Sequence, residues 1–109
     1  MFEYRAKILR LVDADTVAVR LDLGLDVRID VTLRLAGINA PEMSTEAGKL
    51  AKAYAEQWFS KLAPEGFIVR TTKDRREKYG RYLATVYALT GDCLNDDLLS
   101  DGHATAYLS

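Results

Sequence analysis

Between Val17 and Leu35 the chain alternates apolar and polar residues almost without a break. Val17, Val19, Leu21 and Leu23 share one parity, and beyond Gly24 the same parity continues through Val27, Ile29, Val31, Leu33 and Leu35. Arg20, Asp22, Arg28, Asp30, Thr32 and Arg34 stand between them. A period of two over this length fits strands with one buried face and does not fit a helix. Gly24 and Asp26 mark a turn, so the two runs form a hairpin. If Leu23 faces Val27 across that turn, Asp15 faces Leu35 and lies at the same end of the sheet as Gly37 to Ala40.

The remaining elements are placed around this hairpin. "YRAKILRLV" reads as a strand before it. "STEAGKLAKAYAEQWFSKL" switches to helical spacing, with Ala47, Leu50, Ala51, Tyr54, Trp58 and Leu62 on one face. Ser44 or Thr45 can cap its start, and Pro64 and Gly66 lie beyond its end. "FIVRTT" and "YLATVYAL" are two further strands, separated by the polar loop "KDRREKYGR". Asn95 opens a short helix that Leu94 and Leu99 can staple and Gly102 can end, and "ATAYL" is a last extended piece. The order predicts a mainly β fold. Its expected form is a five-stranded Greek-key barrel with a helix between the third and fourth strands and a short helix after the fifth.

The 109 residues fit one domain spanning 1–109. Fifteen Lys and Arg against 16 Asp and Glu exclude a chain that holds polyanions by bulk charge, so any such affinity must be local. A single cysteine, Cys93, excludes an internal disulfide and reads as a small buried hydrophobe. No Cys/His cluster has zinc spacing. The opening "MFEYRAKILR" resembles neither a signal peptide nor a membrane span. A cytoplasmic location is the default expectation, and a mature secreted chain would read the same.

Four stretches carry candidate chemistry. "DADT" (Asp13–Thr16) alone would serve as an Asx turn. "GINAPE" alone would be a chain reversal. Together, the Asp15 carboxylate, the Asn39 amide oxygen and a backbone carbonyl can form a hard-cation site, completed by water. Arg34 is the third candidate, although strict alternation puts it on the face opposite Asp15, so a shared site requires a bulge or sharp curvature near Leu35. The fourth is "EKYGR". From Lys73 to Arg81 there are five basic and two acidic residues, a local surplus suited to phosphate, and Tyr79 could stack on a base or sugar. A cation and two guanidiniums can neutralise a phosphodiester while a carboxylate activates water. His103, the only histidine, is not assigned a role.

These stretches resemble the staphylococcal-nuclease (thermonuclease-like) family. "DADT" resembles its Asp-Gly-Asp-Thr motif, and "RLAGINAPE" its Arg-Leu-x-Gly-Ile-Asp-x-Pro-Glu strand end. "EKYGRYLATVY" resembles its Lys-Tyr-Gly-Arg strand entry, and "LNDDLLSDGHA" its short helix and Gly-x-Ala. The likeness runs in order from about Val12 to Ala106. It implies an OB-fold barrel and a Ca2+-dependent nuclease (or one using another divalent cation) that cuts DNA and/or RNA. Water would attack phosphorus and expel the 5′-oxygen, leaving 3′-phosphate ends. By motif matching, Asp15 would ligate the metal directly, Ala40 would offer its carbonyl, and Asn39 stands where the family has a second ligand carboxylate. Arg34 and Arg81 would clamp the phosphate, Glu42 would activate water, and Lys78 and Tyr79 would contact a neighbouring phosphate.

Three departures accompany the resemblance. Ala14 replaces a glycine, the segment after Glu42 is short, and the sequence stops before the last long helix of the secreted enzymes. Either a monomer or a homodimer is expected. A second reading is a catalytically weak or inactive barrel that binds nucleic acid or a protein, as neutral Asn39 would favour.

Overall fold

The hairpin expected from the alternation is β2 (Thr16–Asp22) and β3 (Arg28–Leu35) of a computed structural model that describes residues 2–71 and 80–107. Their register runs unbroken from Asp22↔Arg28 to Thr16↔Arg34, which sets Asp15 opposite Leu35 as expected. The Leu35 amide donates to the Asp15 carbonyl at 2.8 Å. Burial follows the pattern at Val17, Val19, Leu33 and Leu35 but fades toward the turn. Leu23, Val27 and Ile29 are about half exposed because the tip of the hairpin outruns the core.

β1 (Phe2–Asp13) pairs antiparallel with β2, with register shifts between Ile8 and Arg10 and between Leu11 and Asp13. β5 (Phe67–Thr71) pairs with β1, and β6 (Tyr82–Ala88) with β5. β6 closes the barrel by running parallel to β3, with Arg34 beside Leu83. The result is the predicted mainly β, five-stranded closed OB-fold barrel. It also has a two-residue strand that the sequence reading missed, β4 (Ile38–Asn39), which pairs with β7 (Thr105–Ala106) in a separate small sheet. Phe67, Val17, Val19, Leu33, Leu35, Val69 and Val86 fill the interior, and each such side chain contributes about 1.5–3 kcal/mol by leaving water.

Helix α1 (Glu46–Leu62) buries Gly48, Ala51, Ala55, Trp58 and Phe59. The expected face held at Ala51 and Trp58, but Ala47 and Leu50 are exposed, so the buried stripe sits one position round from the one expected. The short helix α2 (Leu94–Ser100) begins at Cys93, not at an Asn95 cap. Asn95 is buried instead. Its side chain accepts from the Val86 amide at 3.1 Å and donates to the carbonyls of Ala36 and Ala84 at 2.9 and 3.2 Å. This ties the end of β3 to β6, beneath the cleft described below. Cys93 is buried, as expected. Among the described residues no helix is long and apolar enough to cross a membrane.

Candidate active site

At the end of the barrel where β2 starts and β3 stops lies an open cleft of about 790 Å³. Asp15, Arg34, Asn39, Ala40, Glu42 and Arg81 all line it, six of the eight residues expected at the site. The other two, Lys78 and Tyr79, lie outside the described residues.

Asp15 and Arg34 meet without a bulge between β2 and β3, one of the two devices expected near Leu35, since the β2–β3 register has no shift. Asp15 belongs to the turn before β2, where alternation no longer fixes its direction. Arg34 is one residue from the end of β3 and reaches over the barrel rim. Its Nη1 lies 3.2 Å from Asp15 Oδ2 and donates to the Leu35 carbonyl at 3.1 Å, while Nη2 donates to Asn39 Oδ1 at 3.1 Å. After β3 the chain turns at Gly37 (φ 79°), a left-handed conformation that costs glycine little, and returns as β4. That return brings the Ala40 amide to donate to Asp15 Oδ2 at 2.7 Å. Ala14, the departure from the family's glycine, costs nothing: it is fully buried and its φ is not positive.

Arg81 arrives from the other side, just before β6. Its Nη1 donates to Thr16 Oγ1 at 3.4 Å, and the Thr16 hydroxyl in turn donates to Asp15 Oδ1 at 3.2 Å. The two guanidiniums thus flank one carboxylate, although 47 positions separate them in sequence.

Glu42 is fixed through its backbone. Its carbonyl accepts from the Thr45 amide at 3.0 Å and from the Thr45 hydroxyl at 2.6 Å. The same hydroxyl accepts from the Gly48 amide at 3.0 Å, so the N-cap of α1 is also the anchor of Glu42. A Cβ at Gly48 would overlap the Glu42 carbonyl. Gly48 stands in the first turn of α1; replacing a glycine inside a helix with alanine ordinarily stabilises by up to ~1 kcal/mol, but an extra methyl in a closed contact costs roughly 1–3 kcal/mol. The clash wins: Gly48→Ala should lower the melting temperature and displace Glu42. A thermal melt higher than the parent's would show that the contact has slack.

Two cleft residues escaped the sequence reading. Tyr107 is half exposed, its ring centroid 6.0 Å from Arg34 Cζ, and its amide donates to the Gly37 carbonyl at 2.9 Å. A lone aromatic in a short terminal stretch gave no periodic signal. Asp13, read only as part of a turn, accepts from the Asp15 amide at 3.1 Å. Burial, then the hydrogen bond and charge of Asp15, push its pKa up to about 6. Burial opposes charge on Asp15 as well. There the hydrogen bond from Asp13, the Ala40 amide and the Arg34 guanidinium prevail and hold its pKa below the usual carboxylate value.

The sign of the Asp13 effect follows from its raised pKa. The protonated form is favoured by the fold, so its stabilising contribution is complete below the unfolded value of 3.8 and is lost as pH rises through about 6. Asparagine keeps the acceptor and the donor without the charge. Asp13→Asn should therefore melt roughly 2–5 °C above the parent at pH 7.5 and together with it near pH 3.5, both measured in chelator. Curves that keep a constant offset across that range would remove Asp13 titration as the cause.

As a metal site the cleft offers oxygens only. Asp15 and Asn39 both meet Arg34 and offer a carboxylate and an amide oxygen, donors of the hard type that calcium or magnesium takes, while Ala40 meets Asp15 through its N–H. Among the described residues no three His, Cys, Asp or Glu side chains converge. The donor set therefore fits a hard divalent cation with little anionic charge. The Arg34 guanidinium bridges the same two oxygens, so a cation there would compete with it.

A model of the family described as "Staphylococcal nuclease homologue" matches residues 32–109. An "Uncharacterized endonuclease" of Escherichia coli O157:H7 is 30% identical over 105 residues, which cover 96% of this chain and 62% of that protein. "Micrococcal nuclease" of Shigella flexneri is 32% identical over 88 residues, 79% of this chain and 44% of its own length. "Uncharacterized protein MJ1439" of Methanocaldococcus jannaschii is 28% identical, covering 97% of this chain and 60% of its own. The chain thus spans about three-fifths of the length of the first of these relatives. The family match starts at Thr32, downstream of Asp13–Thr16, yet β2–β3 pairing sets those residues against it. The chain belongs to the family of staphylococcal nuclease homologues.

Proposed function

We propose that this chain is a divalent-cation-dependent phosphodiesterase that hydrolyses DNA and/or RNA by in-line attack of water on phosphorus. The observation that carries the reading is the convergence of Arg34, Arg81 and Glu42 on one cleft around Asp15. Arg34 and Arg81 grip non-bridging oxygens of the scissile phosphate, each able to offer a planar fork. Glu42 accepts the proton of the attacking water as the bond from phosphorus to the 5′-oxygen breaks, and the leaving 5′-oxygen takes a proton from solvent in the open cleft. Asp15, Asn39 and Ala40 would hold a divalent cation, which when bound would neutralise phosphate charge. Tyr107 offers a face on which a base can stack, and Lys78 and Tyr79 hold a neighbouring phosphate.

The neutral Asn39 favours the second reading, a barrel that binds nucleic acid without cutting it. Incubating the protein with single-stranded DNA or RNA, in calcium and then in chelator, decides between them. Calcium-dependent shortening supports hydrolysis, and intact strands that shift in a gel support the binding module.

Asn39→Asp adds a second ligand carboxylate, and affinity at oxygen sites rises with ligand charge. The variant should need less calcium for half-maximal cleavage, and calcium should raise its melting temperature more than it raises the parent's. A calcium requirement that does not move would remove Asn39 from the metal shell.

A further inference from the structure

The cross-strand register of β1, β2 and β3 sets their outward side chains in rows that start at the cleft. The row at the cleft is Asp13, Thr16 and Arg34. The three rows beyond it carry five exposed cations, Arg5, Lys7, Arg10, Arg20 and Arg28, against two carboxylates, Asp22 and Asp30. Among the described residues only Arg20 of these five is in an ion pair, with Asp30 at 2.7 Å. Lys7 stands directly opposite Arg20, an arrangement of like charges that weakens a sheet. The surplus is a segregation, because the whole chain has a net charge of −1 and residues 82–107 hold four Asp and no Lys or Arg. Uncompensated positive charge in register with the cleft is explained by an anionic ligand that spans both.

Two separate depressions lie along the same strands. Small Ala18 and Thr32 border a depression of about 280 Å³ next along the hairpin from the cleft. Beyond it Arg5, Lys7, Arg20 and Arg28, with the carboxylates Asp22 and Glu65, border another of about 630 Å³, a surplus of two positive charges. Arg28 is six positions along β3 from Arg34, about 20 Å at roughly 3.3 Å per residue. That distance is long enough for several phosphates of a single strand, within the range of roughly 4–16 nucleotides that OB-folds typically engage.

We propose that the outer face of β1–β2–β3 is a track for the phosphate backbone of a single nucleic-acid strand, running from the cleft to Arg5, Lys7 and Arg28. The proposal rests on the nuclease reading of the cleft and extends it: the protein engages several nucleotides beyond the bond it cuts. Longer strands are then better ligands than short ones.

The test is binding of a fluorescein-labelled twelve-nucleotide DNA strand in chelator, by anisotropy over a salt series. Arg5→Gln/Lys7→Gln/Arg28→Gln is compared with Lys49→Gln/Lys52→Gln/Lys61→Gln, which removes the same charge from α1. The track variant should bind at least tenfold more weakly at low salt, with a log–log salt slope shallower by up to about 2, as roughly 0.7 is lost per phosphate contact. The α1 variant should stay close to the parent. The parent's preference for a twelve-nucleotide strand over a trinucleotide should shrink toward unity in the track variant alone. Unchanged binding by the track variant, or equal loss in both variants, overturns the track. Cleavage by the parent in calcium is scored separately, so a parent that binds through these residues without cutting keeps the track and loses the nuclease reading.

Discussion

Arg81→Ala should cut single-stranded DNA at least a hundredfold more slowly than the parent, and Arg81→Lys should recover little of that loss. Removing one donor aimed at transition-state charge typically costs about a hundredfold to a thousandfold, and an ammonium cannot reproduce the two-pronged contact of a guanidinium. Arg34→Ala should lose as much turnover but differ in a second measurement. Arg34 is nearly buried, with 13% of its side chain exposed, beside an Asp15 carboxylate 9% exposed. Taking away the cation leaves a buried charge with only hydrogen bonds for support, so Arg34→Ala should melt below Arg81→Ala in chelator. Calcium should then stabilise Arg34→Ala more than the parent, because no guanidinium competes for Asp15 and Asn39. Cleavage kinetics and calcium-dependent melts together read all of this. Parent-like cleavage by Arg81→Lys and Arg81→Ala would show that the site has been assigned to the wrong residues.

Glu42→Gln should lose turnover by a comparable factor while holding nucleotide as the parent does. Glutamine keeps the shape and the hydrogen bonds but cannot take a proton from water. The fold constrains the Glu42 backbone through Thr45 and Gly48, and neither contact uses the carboxylate. The variant should accordingly melt with the parent. A variant that loses stability and activity in proportion would mean that Glu42 serves only to start α1.

The barrel strands could be read from sequence because each half-buried strand writes a period of two into the chain, as from Val17 to Leu35. β4 could not, since two residues, Ile38 and Asn39, are too few to carry a period. The role of Asn95 was misread for a related reason. An asparagine at the start of a helix usually caps it, and only the tertiary fold reveals three backbone groups around its buried amide. At the cleft, Asp15, Arg34, Asn39, Ala40, Glu42 and Arg81 were legible because their motifs are local. The hairpin register also brought Asp15 to the sheet end of Gly37–Ala40, but not to Arg34, because the parity rule that separates the two lapses once the chain leaves the strand. Asp13 and Tyr107 had no spacing to mark them and emerge only from the shape of the cleft.

The small sheet of β4 and β7 sets a timescale for the site. The barrel strands run from five to 12 residues, but the loop bearing Asn39 is held by a two-residue ladder, Ile38↔Ala106 and Asn39↔Thr105, with the Tyr107 amide on Gly37. Short ladders open locally at far lower free energy than a barrel unfolds. The amides of Asn39 and Tyr107 should therefore exchange with deuterium well before those of Val19 and Val86. Opening would part Asn39 from Asp15 while the barrel stays closed. If Asp15 and Asn39 hold a cation as proposed, its residence time would be set by two residues at each edge of a miniature sheet.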